Sequence, residues 1–547
     1  MTSAAGARSG GHVIVDQLLL HDVDRVFCVP GESYLDILDG LYDAQQKISL
    51  IVCRHEAAAA NMAVAYGKLT GRPGVCLVSR GPGATHAAIG IHIAAQDSTP
   101  MVLLVGQVPR RHRGRESFQE VDYKAVFGST TRWVGEANDC SELPELVARA
   151  FHYAQGGRPG PVVLSLPEDV LASRCEVNDV PVASPVLVDT PPFALRKLNA
   201  LLTDSERPFV IAGGGNWTPA ASRALKSITN AWSLPVAASF RSQDVLDNRS
   251  ENYVGNLGVG GTPGLAKQVA EADLLIAVGT RLDDLTAGGY STINAPRPRQ
   301  RLVHVFPDPA ELGRVFVTDL AIATAPEQFL DGWSELEVVK TPKRADKTRL
   351  LRAAYIKGRE RSAEGPVDLA QVVRHVSEVL PDDAIITNGA GNYTAWVHRY
   401  FQFKQLGTQL APIAGAMGFG VPAAIAAKSV YPERTVVCFA GDGCFLMSGQ
   451  ELATAVHNKL AIIVIVVNND SYGTIRSHQQ RNYPGRLYGM DLSNPDFVAY
   501  AKSFGIGAEL VMTTDDFISA FDRARKSATS TLLEVRVDAS LRLSLEN

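Results

Sequence analysis

What most constrains this chain is a repeated alternation of short β-branched runs with Ala-rich stretches of helical character. In the first part the runs are residues 25–29, 50–53, 74–79, 101–105 and 161–166. Runs that are apolar throughout read as strands buried on both faces, and strands joined through helices run parallel. A Pro- and Val-rich stretch, residues 176–192, breaks the pattern and reads as a linker. The alternation resumes with runs at 209–212, 274–278 and 302–305 and ends near Trp333. Residues 340–361, rich in Lys and Arg, read as a solvated connecting segment, and a third block spans about 366 to 537. The expected fold is α/β, with three doubly wound parallel-sheet modules at residues 12–175, 190–335 and 365–540. The 547 residues leave room for about three such domains. Ligands of doubly wound sheets bind at the carboxyl ends of strands, so the loops there are where function is sought.

Composition excludes several classes. A net charge of −4 offers no electrostatic reason for a nucleic acid or an anionic membrane as partner. The longest apolar runs, such as 460–467, fall far short of the ~20 residues a membrane-spanning helix needs. The small, polar N-terminus is followed by an apolar stretch broken at Asp16 and Gln17, unlike a signal-peptide core, so a cytoplasmic location is expected. The seven cysteines show no CxxC spacing and are expected to be reduced core thiols, neither disulfide-bonded nor zinc-ligating.

The strongest motif lies in the third block. A strand at 435–440 runs into Gly441-Asp442-Gly443, a helix follows, and the strand at 461–467 ends in Asn468-Asn469. Ser448 and Glu451 have capping-box spacing, which predicts a helix from just after Ser448 to about Asn458. One βαβ unit thus delivers Asp442 and Asn469 to the same sheet edge. A carboxylate and an amide oxygen there suit Mg²⁺ held jointly with phosphate oxygens, and the glycines let backbone approach a diphosphate. A second constellation, Arg54-His55-Glu56, sits where a strand gives way to an Ala-rich helix, and a third, GAMGFGVPAAIAA, begins at Gly415.

GDG followed by NN resembles the thiamine-diphosphate signature, and GDGCFLMSGQELATAVHNKL looks like an acetolactate synthase large subunit. RGPGATHA, DSTPMVLLVGQVPR, FQE and GRPGPVVLSLPEDV follow the same family pattern, so the resemblance covers nearly the whole chain. It implies a pyrimidine-binding first module, a central module and a diphosphate-binding third module. It further implies Mg²⁺ ligation by Asp442, Asn469 and the Ser471 carbonyl, with Gly443, Cys444, Tyr472, Gly473 and Thr474 near the cofactor. Glu56 is implied as the carboxylate that, against the aminopyrimidine, promotes loss of the thiazolium C2 proton. Gly415 is implied as the acceptor for the 4′-amino group and Met417 as the wedge that bends the cofactor. Gly391 and Asn392 match the diphosphate loop in position, although Asn392-Tyr393 stands where these synthases have Gln-His. Gln119 would lie near the reacting carbon. Because the glutamate of one subunit completes another's site in this family, a homodimer or homotetramer is implied.

The chain also departs from the family. Leu285 and His478 occupy the positions where acetolactate synthases carry an Arg and a Trp that recognise the second keto acid. The Lys of the family's TKHN segment appears as Arg132, and its PGG loop reads Pro30-Gly31-Glu32. Related decarboxylases handle protons from this third position, and Glu32 could do likewise. The family's HIDID reads His304-Val305-Phe306-Pro307-Asp308, with Phe306 in place of a carboxylate, so no stoichiometric FAD is expected. The expected reaction is decarboxylation or cleavage of a 2-keto or 2-hydroxy-carbonyl substrate, followed by carboligation or protonation. True acetolactate synthase, simple 2-keto-acid decarboxylase and a catalytically silent regulatory relative remain the alternatives.

Overall fold

The computed structural model describes residues 6–183, 186–339, 342–362, 365–539 and 541. It contains three six-stranded sheets in which every pairing is parallel. The first runs, in spatial order, Ser49–Val52, Arg25–Cys28, Gly74–Val78, Met101–Gln107, Pro161–Pro167, Trp133–Glu136. The third repeats this winding as Gln409–Leu410, Ile385–Asn388, Val436–Gly441, Ile463–Asn468, Thr531–Arg536, Gly507–Val511. The central sheet is wound differently, as Tyr253–Asn256, Val236–Ala238, Pro208–Ala212, Leu274–Val278, Arg301–Val305, Leu320–Ile322. Its order is that of dinucleotide-binding sheets, whereas the outer two begin in the flavodoxin-like order. Each sheet therefore has one switch point where neighbouring crossovers depart in opposite directions.

Contacts divide the chain into two compact units. One comprises residues 1–185 together with 421–430 and 448–460; the other comprises 186–420, 431–447 and 461–547. In the first, Met101–Gln107 and Pro161–Pro167 are buried at every residue, as strands covered on both faces must be. The helices Glu56–Thr70 and Pro82–Asp97 pack so closely that a Cβ on Gly90 would lie 2.4 Å from that of Ala60.

Three expectations need correction. Residues 342–360 are not merely a solvated connector: they form the helix Pro342–Glu360, which buries one edge. There Arg344 donates to the Ser205 carbonyl, and Tyr355 meets Tyr253 edge-on with ring centroids 5.2 Å apart. Arginines were read as solvated, yet a guanidinium can satisfy buried carbonyls at loop ends. Cys140 and Cys175 pair as a disulfide, their Cα atoms 6.0 Å apart, while Cys28, Cys53, Cys76, Cys438 and Cys444 are buried and free as expected. The pair joins the 3-10 turn Cys140–Glu142 to the short strand Arg174–Cys175, a proximity invisible in spacing alone. Finally, the capping box does not form: Gly449–Glu451 is a 3-10 turn leading into Leu452–His457, and the buried Ser448 hydroxyl caps nothing.

Candidate active site

The third sheet's switch point lies between Ile385–Asn388 and Val436–Gly441, and the loops leaving these strands enclose a cavity of about 240 Å³. Gly391 and Asn392, Gly415 and Met417, Asp442 to Cys444, Asn469, and Ser471 to Thr474 all line it. The cofactor-binding positions expected in the third block thus converge. Backbone freedom matters at Gly391 and Gly415, whose φ values of +150° and +68° disfavour a side chain.

The oxygen-rich corner of the cavity is built locally. Asp442 follows the strand Val436–Gly441 directly and is buried, while Asn469 follows Ile463–Asn468, the neighbouring strand. The Asn469 amide oxygen accepts from the Ser471 N–H at 3.2 Å, and the Asp442 carboxylate accepts from the Asn494 amide at 2.8 Å. Two oxygen-bearing side chains from neighbouring strand ends thereby line one cavity. Burial pushes the Asp442 carboxyl up, and hydrogen bonds from Asn494, Gly443 and Ser471 oppose it only in part. A cation would relieve that cost, and a carboxylate with an amide oxygen and main-chain carbonyls is a hard donor set. Asn494 was not singled out from sequence; its amide donates to Asp442, Asn468 and Asp470 at 2.8, 3.1 and 3.0 Å and so holds the loop's carboxylates in register.

Asn392 and Tyr393 part company. The Asn392 amide reaches the wall near Gly473, whereas Tyr393 is buried, accepting from the Gly389 N–H at 3.1 Å and lying 3.6 Å from the Cys444 sulfur. Tyr393 therefore supports the loop from beneath.

In the first unit, Glu56 begins the helix Glu56–Thr70, with His55 as N-cap accepting from the Ala57 N–H at 3.1 Å. Its carboxylate oxygen Oε1 lies above Gly83, where a Cβ would sit 3.5 Å away, and Oε2 is 2.9 Å from His86 Nδ1. Glu32 is mostly exposed and paired with the buried Arg80 at 3.2 Å, while the same guanidinium binds Glu168 at 2.8 Å and the Phe118 carbonyl at 3.3 Å. Gln119 has φ of +65°, and its backbone packs against Gly81. Glu32, Glu56 and Gln119 thus all sit on loops or a helix start at the carboxyl edge of the first sheet. Leu285 and His478 are both exposed, Leu285 beside the buried Leu282 and Thr286, and His478 on the helix Gly473–Asn482.

Sequence reasoning missed Glu451. It is fully buried and accepts from the Arg54 N–H at 3.1 and 3.2 Å and from the Thr454 hydroxyl at 2.6 Å. Those contacts anchor the turn from which Glu56 projects, and they explain why Glu451 does not fold back on Ser448. The capping-box spacing concealed this role.

Models of three thiamine pyrophosphate enzyme domains match the chain: the N-terminal TPP binding domain at residues 8–126, the central domain at 195–332 and the C-terminal TPP binding domain at 389–535. The acetolactate synthase large subunit of Parasynechococcus marenigrum is 35% identical, covering 97% of this chain and 87% of that protein. The Escherichia coli acetolactate synthase isozyme 2 large subunit is 30% identical over 97% and 96%, and the Corynebacterium glutamicum large subunit is 31% identical over 96% and 86%. The chain therefore belongs to the thiamine pyrophosphate enzymes. Within them it is acetolactate synthase large subunit-like, a thiamine-diphosphate-dependent enzyme of the carboligase/lyase type.

Glu451 generates a pH prediction. Burial raises its pKa, so its contribution to stability is fully present below the ordinary glutamate range, about pH 4, and is lost as pH rises through the raised value. Glu451→Gln removes the titration and keeps an acceptor oxygen. Thermal melts from pH 4 to 8 should show the stability difference, variant minus wild type, growing with pH; a constant difference would contradict the assignment.

Proposed function

We propose that the chain binds thiamine diphosphate through Mg²⁺ at the cavity of the third sheet and uses it on 2-keto acids or 2-hydroxy-carbonyl compounds, forming or breaking a bond next to the carbonyl. The observation that carries this reading is that Asp442 and Asn469, from neighbouring strand ends, line one cavity together with Ser471 and the glycine loops. Asp442, Asn469 and the Ser471 carbonyl would hold the metal, and Gly391, Asn392, Gly443 and Gly473 would leave backbone and amide groups close to the diphosphate. When bound, thiamine diphosphate supplies a carbon nucleophile that attacks the substrate carbonyl. Met417, half-buried against the core, would support the cofactor rings, and Gly415 would accept from the 4′-amino group. Glu56 would be the carboxylate that holds a proton toward the aminopyrimidine nitrogen.

The division into domains 12–175, 190–335 and 365–540 belongs to this proposal, as does an assembly of at least two copies in which Glu56 of one completes the site of another. Among the described residues no helix is long and apolar enough to cross a membrane. A cytoplasmic location is likewise proposed.

The central sheet has a dinucleotide-type winding, but its residues fit FAD poorly. Phe306 is buried in place of a ribose-binding carboxylate. Two glycines of this module serve the chain's own packing: a Cβ would come within 1.8 Å of Thr262 Oγ1 at Gly255 and 2.5 Å of the Ala395 carbonyl at Gly260. We propose that FAD is not a stoichiometric cofactor.

Asp442→Ala should weaken Mg²⁺-dependent cofactor binding by at least 100-fold while leaving the melting temperature of the metal-free protein unchanged or raised, since a costly buried carboxylate is removed. Calorimetry with unchanged affinity would overturn the assignment. For the central domain, the absorbance spectrum of the purified protein should lack an oxidised-flavin band, and a yellow preparation with one flavin per chain would refute the reading. Acetolactate formation from two pyruvates should be a minor activity, because Leu285 cannot give the second carboxylate the paired, charge-assisted bonds an arginine would. Such a loss costs about 2–5 kcal/mol, roughly 30-fold to several thousand-fold in specificity. Assaying acetolactate and acetaldehyde from pyruvate tests this, and acetolactate formed at rates typical of dedicated synthases would reject it.

A further inference from the structure

We propose that His86 is a positioning residue for Glu56, an inference that rests on Glu56 being the carboxylate that activates the cofactor. Its Nδ1 lies 2.9 Å from Glu56 Oε2, and the two residues come from different helices, Pro82–Asp97 and Glu56–Thr70. Those helices are locked against each other at Gly90 and Ala60, four residues beyond His86 and four beyond Glu56, so the pair is held by backbone packing as well as by its own hydrogen bond. The His86 ring is further steadied by His55, whose ring centroid is 4.6 Å away with the planes tilted by 30°. His55 Nδ1 is already committed to the Ala57 N–H, so it does not compete for the carboxylate through that atom.

The two oxygens of Glu56 are thereby differentiated. His86 donates to Oε2 and fixes the carboxylate's rotation. Oε1 lies over Gly83, where the missing side chain leaves it open to a partner. A carboxylate that must exchange a proton with a ring nitrogen works best when one oxygen is anchored and the other aimed, because the alternative is a freely rotating group that spends most of its time misaligned. The half-buried position of Glu56 makes the anchor matter, since water alone does not hold its orientation.

The test compares His86→Ala, His86→Asn, Glu56→Gln and the double variant His86→Ala/Glu56→Gln at saturating cofactor, following exchange of the cofactor C2 proton for deuterium by quenched-flow NMR. His86→Ala should slow exchange about 10- to 100-fold, the size of effect typical of groups that orient a functional side chain. His86→Asn, which keeps a donor of similar reach, should recover most of that loss. The double variant should be no slower than Glu56→Gln alone, because His86 acts only through Glu56. A second readout uses the cofactor-free protein: with ¹⁵N-labelled histidine, His86 should carry a proton on Nδ1, and Glu56→Ala should shift it toward the Nε2–H tautomer. If Glu56→Gln exchanges at the wild-type rate, the reading of Glu56 fails. If Glu56→Gln is slow but His86→Ala exchanges normally, or the His86 tautomer ignores the loss of Glu56, His86 is no positioning residue and the proposal is overturned.

Discussion

A parallel strand cannot be followed directly by its neighbour; the chain must cross the sheet and return, so every strand begins at one edge and ends at the other. All three sheets of this protein obey that constraint. Its consequence is that loops far apart in sequence leave from one edge, and at a switch point two of them diverge and open a gap. The cavity that gathers Asp442 and Asn469 with Gly391 and Asn392 is such a gap. In the first sheet, Glu32, Glu56 and Gln119 belong to the corresponding edge. The chemistry is concentrated there because strand ends expose backbone donors and acceptors that no ladder uses.

The same constraint exposes carboxylates to burial, and the structure manages each one differently. Asp442 is left with a raised pKa that hydrogen bonds offset only in part. Glu451 is raised as well, yet it is surrounded by donors from Arg54 and Thr454 and acts as a structural anchor. Asp470 is pulled down by its pair with Arg536 and remains ionised at the rim. Glu56 stays half-buried with one oxygen bonded and the other open. Three protein-internal devices, desolvation, donor capture and ion pairing, thus sort residues of the same type into different tasks.

Under the proposed function the chain keeps the cofactor site and alters acceptor recognition. The positions that would grip a second carboxylate carry Leu285 and His478, both exposed, while the Glu32–Arg80–Glu168 network places ionic groups at the mouth of the first sheet. The proposed preference for an uncharged acceptor follows, because desolvating an unpaired substrate carboxylate is costly.

The three-module α/β class, most strand positions in the apolar runs and the delivery of Asp442 and Asn469 to neighbouring strand ends were legible in the sequence, because each depends on local order: an apolar run long enough for a buried strand, or two loops one βαβ unit apart. What only the tertiary structure decided depends on meetings between distant segments. Sequence spacing offered Glu451 a bond to Ser448, and the fold gave it the Arg54 N–H, about 400 positions away, since a nearer fit for a buried carboxylate was available there. The basic stretch read as solvated proved to be the helix Pro342–Glu360 because carbonyls at the ends of other elements needed its arginines. Cys140 met Cys175, and His86 met Glu56, through the docking of elements whose individual sequences carry no sign of their partner. Local pattern specifies which elements form and what chemistry each can offer, while packing decides which of those offers face one another.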